Sequence, residues 1–319
     1  MRVSRIVVLS LSVLVLVVAV AGVSLHLVAR SRLSAMRTLP DPFGSIAATE
    51  RPPASPARSL TLLLAGIDSE RDTSPARSDA LMLVRITADR RHAYVVSLPR
   101  DSWVNIPGHG MDKVNAAYAY GGQTLAVRTV ERLTKVRVDH VAVVDMAGFR
   151  ELTDALGGVV LTVPEDVTDP HFVSFAAGTR RFDGAAALAY VRERQGLPRG
   201  DLDRVRRQQE FLKAVLQQLA QENDPLRLAA ALDAATRTVA VDKGFGTGEM
   251  VRLLLDFRKL RGEVTFLTVP VAGVGMVGEA SVIFLDAKLG PAFWKAIGTD
   301  RLDDYLSTHD TELLTAPPR

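Results

Sequence analysis

Residues 60–98 read LTLLLAGIDSERDTSPARSDALMLVRITADRRHAYVVSL and contain three apolar runs of strand length. The runs are LTLLLAG at 60–66, ALMLVRIT at 80–87 and HAYVVSL at 92–98. Only the polar residues ADRR (88–91) separate the second run from the third, which is typical of the loop in an antiparallel hairpin. Because such a hairpin argues against a purely parallel sheet, this stretch predicts part of a mixed sheet.

Beyond this stretch, segments with helical periodicity alternate with short apolar runs. The pattern predicts helices at 115–135, 146–156, 203–219, 225–239 and 247–260, and strands at 140–144, 159–163, 264–271 and 281–285. Interleaved helices and strands indicate one α/β domain in which helices pack on a mixed sheet.

The composition excludes several functional classes. The chain of 319 residues is 47% hydrophobic and 24% charged, which is enough apolar surface to exclude disorder for most of its length. A net charge of +3 is too small to indicate nucleic-acid binding. The absence of cysteine excludes thiol nucleophiles, thiolate zinc sites and disulfides, and the six histidines form no HExxH motif.

The N-terminus predicts the location of the protein. Residues 6–29 are uncharged and apolar, and they are long enough to cross a bilayer as a single helix after a leader of residues 1–5. Arg2 and Arg5 favour a cytoplasmic leader, so we expect a signal anchor in the cell membrane with the following domain outside. The alternative is a cleaved signal peptide, which would also export the domain. Residues 30–58, rich in Pro, Arg, Ser and Ala, are predicted to be a linker, and 59–319 the catalytic domain.

Charged side chains collect at the ends of the predicted strands and at one helix start, where ligands bind in open α/β sheets. The planar guanidinium group of arginine donates paired hydrogen bonds to phosphate oxygens, and paired aspartates bind Mg²⁺. Together these residues could form a pyrophosphate site. Surface ion pairs are the alternative, and we assign Arg206 and Arg207 to the solvated face of their helix. The candidates are Asp68, Arg77, Asp79, Arg100, Asp101, Arg192, Arg194, Arg204 and Gln208.

Six segments occur in an order that resembles the LytR-CpsA-Psr family. They are LLLAGID (62–68), RSDALMLV (77–84), SLPRDSWVNIPG (97–108), DKVNAAYAYGG (112–122), FRELTDALGGVVLTVPEDV (149–167) and YVRERQGLPRGDLDRVRRQQEFLKAV (190–215). The resemblance implies a three-layer α-β-α sandwich whose mixed central sheet and helices enclose a hydrophobic tunnel for a polyprenyl chain. It also implies a phosphotransferase that moves a glycopolymer from a polyprenyl-pyrophosphate carrier onto peptidoglycan, with Mg²⁺, and releases polyprenyl phosphate.

The same resemblance implies roles for individual residues. Asp68 and Asp79 resemble the metal carboxylates, and Asp201 resembles a further pocket residue. Asp79 and Asp101 are both candidates for the general base, although Asp101 could equally be a structural residue that holds its loop. The residues that resemble the phosphate-binding set are Arg77, Arg100, Arg192, Arg194, Arg204 and Gln208.

Other functions remain open at this point. The same pocket could use water as the acceptor and act as a polyprenyl-pyrophosphate phosphatase. It could also bind polyprenyl phosphate without turnover, as a regulator. A role in transcription is disfavoured because the few residues that precede the apolar segment are too short to bind DNA.

Overall fold

The computed structural model describes residues 31–55, 58–67, 77–167, 174–193, 197–259 and 264–309. Seven of the strands in these ranges form one sheet in the order β1-β10-β7-β2-β3-β4-β11, and the others form three two-stranded hairpins. The strands are β1 (Arg37–Leu39), β2 (Leu60–Ile67), β3 (Ser78–Ile86), β4 (Ala93–Ser97), β5 (Trp103–Ile106), β6 (Gly110–Lys113), β7 (His140–Asp145), β8 (Val159–Val163), β9 (Gly178–Phe182), β10 (Val239–Asp242), β11 (Val264–Thr268), β12 (Val271–Val277) and β13 (Ala280–Leu285).

Five of the helices in these ranges match the predicted ones, and three others lie outside the predicted ranges. The helices are α1 (Ala116–Thr134), α2 (Met146–Ala155), α3 (Gly184–Arg192), α4 (Asp201–Gln221), α5 (Pro225–Thr238), α6 (Thr247–Lys259), α7 (Gly290–Gly298) and α8 (Leu302–Leu306), with a 3₁₀ turn at Ala48–Glu50. The first of them is kinked, because Gly121 and Gly122 have non-helical backbone angles.

The central strands confirm the mixed sheet. Strand β3 pairs antiparallel with both β2 and β4, whereas β2 pairs in parallel with β7. The predicted hairpin at residues 80–98 is therefore correct, and it lies in the middle of the sheet.

Helices cover both faces of the sheet, as the alternation of side chains along β2 shows. Leu63 and Ala65 are buried in the cluster that α1, α7 and α8 form on one face. Leu62 and Leu64 point to the other face, where α4, α5 and α6 pack. A separate cluster joins α2, α3 and α4 to the hairpin of β8 and β9.

Several elements differ from the prediction. The strand predicted at 264–271 ends at Thr268, because Pro270 lacks the N–H that a strand needs. The chain resumes at Val271 in the β12–β13 hairpin. The hairpins of β5 with β6 and of β8 with β9 were only partly foreseen, since WVNI, GMDK and GTRRF lack a strong apolar alternation.

Part of the segment predicted to be a linker contributes to this fold. Strand β1 pairs with β10 at the edge of the sheet, and Leu33 is buried against α6 and β10. Arg51 forms an ion pair of 2.7 Å with the buried carboxylate of Glu131. The segment is thus held by both apolar and charged contacts.

None of the helices in the described ranges is both long and apolar enough to cross a bilayer. The anchor predicted at residues 6–29 lies outside these ranges.

Candidate active site

Three strand ends meet at one edge of the central sheet. Ile67, the last residue of β2, pairs with Ser78, the first residue of β3, and Ser97 at the end of β4 pairs with Met82. Because β3 is antiparallel to both neighbours, its beginning lies beside their ends. This topology brings Asp79 close to the loop that follows β4 and carries Arg100.

The loop that carries Arg100 is fixed by backbone hydrogen bonds from two distant segments. The Asn115 N–H donates to the Arg100 carbonyl at 3.2 Å, and the Ile283 N–H donates to the Asp101 carbonyl at 2.9 Å. Ser102 is fully buried behind them. The Arg100 side chain is therefore held on a rigid base, as a preorganised binding group requires.

The side chains at this edge form a compact charged cluster. Arg100 Nη1 lies 2.5 Å from Asp79 Oδ1, and its Nε lies 3.3 Å from Asp201 Oδ1 and 3.8 Å from Asp101 Oδ2. Arg204 Nη2 lies 2.5 Å from the same Asp201 oxygen. Asp79, Arg100, Asp101, Asp201 and Arg204, all singled out from the sequence, are thus brought together.

Helix α4 supplies two of these residues because it begins at the cluster. Gly200, with φ of +57°, makes the sharp turn into the helix that other residues would adopt only with strain. Asp201 then stands in the first turn, and Arg204 lies one turn later on the same side. Gln208 follows at i+4, and its Nε2 lies 3.5 Å from the Asp79 carbonyl, a long contact.

A buried glutamine fixes α4 over the sheet. The Gln209 amide nitrogen donates to the Leu267 carbonyl at 3.0 Å and contacts Ser97 Oγ at 2.8 Å and Thr268 Oγ1 at 3.2 Å. Gln209 is almost fully buried, so these bonds connect the helix to both β4 and β11. No sequence signal indicated this role, since Gln209 stands in a run of polar helix residues.

Several N–H groups of the two arginines have no hydrogen-bond acceptor within the described ranges. They are Arg100 Nε together with Nε and Nη2 of Arg204, and all three atoms are buried. Asp201 Oδ1 forms ion pairs with Arg100 Nε and Arg204 Nη2, but neither nitrogen makes a hydrogen bond of normal geometry. A buried donor without a well-placed acceptor is costly, so these nitrogens suit an anion that enters the cluster.

Lys113 completes the cluster, and the sequence did not single it out. Its Nζ lies 2.9 Å from Asp101 Oδ1. Three cations, Arg100, Lys113 and Arg204, thus face three carboxylates, so the charges among these described residues balance. The motif DKVN, which places Lys113 at the end of β6, was the available signal.

Burial shifts the protonation equilibria of this cluster. Desolvation raises the pKa of Asp201 above its ordinary value, against the attraction of Arg204 and Arg100. Desolvation also lowers the pKa of Arg204, which remains a cation at physiological pH because the ordinary value for arginine is far higher. The pocket therefore resists unpaired charge, and its arginines favour a strongly anionic partner.

The remaining predicted site residues are Arg77, Arg192, Asp68 and Arg194. Arg77 is exposed just before β3, and its charge acts on Tyr120. Arg192 ends α3 and is partly buried; its phosphate-binding role stays a prediction. Asp68 and Arg194 lie outside the described residues.

The prediction for Arg207 was wrong. Its side chain is buried, and its guanidinium carbon lies 4.5 Å from the centre of the Tyr190 ring. The helix is covered on this side by α3, which a single-helix periodicity argument cannot foresee. Arg206 is partly exposed, and it pairs with Glu210 at 3.1 Å.

A partly exposed apolar layer adjoins the cluster. Helix α4 runs from Arg204 over the sheet, where Leu212 and Leu216 face Leu64 and Val84. All four apolar side chains are only partly buried, although β2 and β3 are central strands of the sheet. These side chains therefore leave some aliphatic surface exposed between the sheet and the helices.

The comparisons with known proteins agree with this geometry. Residues 44–296 match the model of the LytR_cpsA_psr family. The probable cell wall biosynthesis protein LcpB of Corynebacterium glutamicum is 37% identical over 236 residues, which cover 72% of this chain and 53% of the relative. The teichoic acid transferase TagU of Enterococcus faecalis is 34% identical over 64% of this chain and 68% of its own length.

Solved structures show the same fold. TagT bound to LI-WTA has a TM-score of 0.65 and 29% identity, covering 80% of this chain and 98% of its own. Bacillus subtilis TagV has a TM-score of 0.66 and 25% identity, covering 77% and 97%. The chain spans about half the length of the corynebacterial relatives. With its ordered motifs, its mixed sheet and a family match over most of its length, this chain belongs to the LytR-CpsA-Psr family.

Proposed function

We propose that this protein transfers a glycopolymer from a polyprenyl-pyrophosphate carrier onto peptidoglycan and releases polyprenyl phosphate. The observation that carries the proposal is the pair of arginines, buried Arg204 and partly buried Arg100, whose buried nitrogen atoms make no hydrogen bond of normal geometry among the described residues. Two linked phosphates supply the oxygen acceptors and the negative charge that such forks bind best.

The relatives support this choice of substrates. TagU is named a polyisoprenyl-teichoic acid–peptidoglycan teichoic acid transferase. Its name joins a polyisoprenyl-linked donor to a peptidoglycan acceptor, and the charged cluster beside an apolar layer suits a donor with a diphosphate and a hydrocarbon tail. Transfer to peptidoglycan by this chain is proposed because the relative is named for that reaction.

The lipid part of the donor would occupy the apolar layer next to the cluster. Leu64, Val84, Leu212 and Leu216 provide partly exposed aliphatic surface there, and burying such surface against an isoprenoid stabilises the complex by about 25 cal/mol per Å². This layer would form the tunnel implied by the family resemblance. The proposed membrane anchor at residues 6–29 would keep the domain outside the cell and close to the carrier.

Magnesium is proposed as the cofactor, held by Asp68 and Asp79. Ile67 and Ser78, which precede these aspartates in the sequence, are partners across β2 and β3 just after a shift in register, and the Asp79 side chain is 16% exposed. Carboxylate oxygens are the donors that Mg²⁺ prefers. In the described ranges no group of three metal-ligating side chains occurs, so substrate phosphates would complete the coordination. A bound ion would offset phosphate charge, which the balanced cluster alone does not.

The chain's own residues account for the rest of the transfer. A hydroxyl oxygen of a wall sugar forms a bond to the glycan-linked phosphorus, while the bond from that phosphorus to the polyprenyl phosphate oxygen breaks. Arg100 and Arg204 hold the departing phosphate by charge-assisted hydrogen bonds. The hydroxyl proton passes to a carboxylate, for which Asp79 and Asp101 are the candidates.

The test uses the full chain in detergent with a glycan-labelled polyprenyl-pyrophosphate donor. We expect label to appear on peptidoglycan fragments in equal amount to polyprenyl phosphate, and both products to require Mg²⁺. Asp79→Asn should abolish both products. Polyprenyl phosphate released without labelled peptidoglycan would assign the site to hydrolysis, and donor binding without either product would contradict enzymatic activity.

Asp101→Asn separates the two candidates for the base. If Asp101 only holds the loop, a moderate loss of rate should accompany a loss of stability, since Lys113 and Arg100 lose a charged partner. If it also accepts the proton, the same loss of stability should accompany a much steeper fall in the rate of the folded variant.

A further inference from the structure

A cavity of about 890 Å³ opens on the face of the sheet opposite to α4. It lies between α7, the end of α1 and the two hairpins β5–β6 and β12–β13. Both tryptophans of the chain, Trp103 and Trp294, line it. None of the residues of the charged cluster contributes to its lining, so it is a distinct site.

The lining combines apolar surface with a cationic rim. Met111 and Phe284 are 51% and 38% exposed, so both offer apolar surface to a ligand. Lys135 at the end of α1 and Lys295 on α7 are exposed at the rim. Aromatic walls with a few charged groups at fixed positions are typical of a binding site for a small or linear ligand.

The carboxylates at the same rim already serve the fold. Asp139 accepts the Thr61 N–H at 2.8 Å, and Asp286 accepts the N–H groups of Lys288 and Leu289 at 2.7 and 2.9 Å. Burial raises the pKa of Asp139, with the Thr61 N–H acting in the opposite direction. The lining thus contains four cations, Arg85, Lys135, Arg137 and Lys295, against these two carboxylates, so its formal charge is positive.

One end of this cavity lies close to the charged cluster. Trp103 follows Asp101 by two residues, so their Cα atoms are at most about 7 Å apart. Trp103 also pairs with Lys113, whose Nζ contacts the Asp101 carboxylate at 2.9 Å. A ligand in the cavity can thus extend over Trp103 toward the residues that hold the phosphates.

We propose that this cavity binds the acceptor, an oligosaccharide that carries carboxylates. The C–H faces of sugar rings would stack on Trp103 and Phe284, and the carboxylates would contact Lys135 and Lys295. The acceptor hydroxyl would then approach the phosphorus from the Asp101 side. This inference rests on the proposed transfer reaction and adds to it the place and chemistry of acceptor binding.

Charge argues for a glycan over a lipid as the occupant. A hydrocarbon chain gains nothing from Lys135 and Lys295, and the partly exposed aliphatic layer on the other face offers it a surface without such a rim. A carboxylated glycan uses both the aromatic surface and the two ammonium groups.

The first test compares two double charge reversals in the full chain. Lys135→Glu with Lys295→Glu reverses the rim, whereas Arg132→Glu with Lys288→Glu makes the same change in charge at exposed positions that do not line the cavity. We expect the rim variant to raise the half-saturating concentration of soluble peptidoglycan fragments by about tenfold. The half-saturating concentration of the donor should stay unchanged, and the control pair should behave as the wild type. Equal fragment use by both variants would overturn the inference.

The second test measures binding without catalysis. Because both tryptophans line the cavity, intrinsic tryptophan emission reports on its occupation. Soluble peptidoglycan fragments should change the emission saturably, and the rim variant should weaken that response about tenfold. Binding without transfer would leave the cavity assignment intact and reject the proposed reaction. Transfer with unchanged emission at saturating fragments, or a response only to phospholipid vesicles, would reject the cavity assignment.

Discussion

Replacing Arg100 tests the charged cluster most directly. In Arg100→Ala the carboxylates of Asp79, Asp101 and Asp201 lose the cation that contacts all three. Loss of one partner from a buried ion pair costs about 3–5 kcal/mol. Because the Arg100 side chain is 12% exposed and Asp101 19% exposed, water relieves part of this penalty, and we expect about 3 kcal/mol.

Arg100→Lys separates stability from phosphate binding. An ammonium group restores a positive charge among the carboxylates, so much of the stability should return. It does not restore the planar fork and its directed N–H groups, so transfer should remain about 100-fold below the wild type. Arg206→Ala is the control, since among the described residues the ion pair of Arg206 is the i,i+4 pair with Glu210, and its loss should change stability by about 1 kcal/mol or less.

The assays are urea unfolding followed by tryptophan emission, and transfer of labelled glycan by the folded variants. A wild-type transfer rate in folded Arg100→Lys would show that directed hydrogen bonds from this arginine are not needed. An unchanged unfolding free energy in Arg100→Ala would show that the three carboxylates do not depend on it.

Three further variants test contacts that hold the fold together. Gln209→Leu should lower the unfolding free energy by about 2–3 kcal/mol, because it leaves buried groups of β4 and β11 without their donor, and circular dichroism during urea unfolding would measure this. Gly148→Ala should lower the melting temperature, since a Cβ at this position overlaps Thr238; an unchanged melting temperature would contradict the close packing of α2 on α5. His140 is buried, yet its bond to Asp242 at 3.1 Å and the nearby acids raise its pKa above 6.5. The stability that this pair contributes, about 1.5–3 kcal/mol, should be present below pH 6.5, disappear as the pH rises through the raised pKa of His140, and disappear again in acid as the carboxylate is protonated. A His140→Gln variant whose deficit is the same at all pH values would contradict this.

The centre of the fold could be predicted because its signals are local. The apolar runs at 60–66, 80–87 and 92–98 have strand length, and the turn ADRR fixes the antiparallel hairpin. Charged residues at the ends of these runs were expected at one sheet edge, and Asp79 and Arg100 do meet there. In an antiparallel pair the end of one strand lies beside the start of its neighbour. The meeting of these charged residues could therefore be predicted without knowledge of distant contacts.

The remaining parts depend on contacts that sequence spacing does not contain. Lys113 reaches Asp101 only because an unforeseen hairpin folds back toward the cluster. Arg207 is buried because α3 covers α4. Gln209 contacts a residue 112 positions away, and nothing in a polar helix segment distinguishes it from its neighbours. The partners of polar side chains require the packing of whole elements, which periodicity leaves undetermined.

The hydrogen bond from the Ile283 N–H to the Asp101 carbonyl determines how late in folding the site is completed. The loop behind Arg100 is complete only when the β12–β13 hairpin has docked, and Arg85 on β3 pairs with Asp300, 215 positions further along the chain. Contacts of such sequence separation form late in folding. When only the first half of the chain has been synthesised, it contains most of the charged residues of the cluster but cannot yet hold them in place. The ability to bind phosphate should therefore arise only after the C-terminal segment has been synthesised.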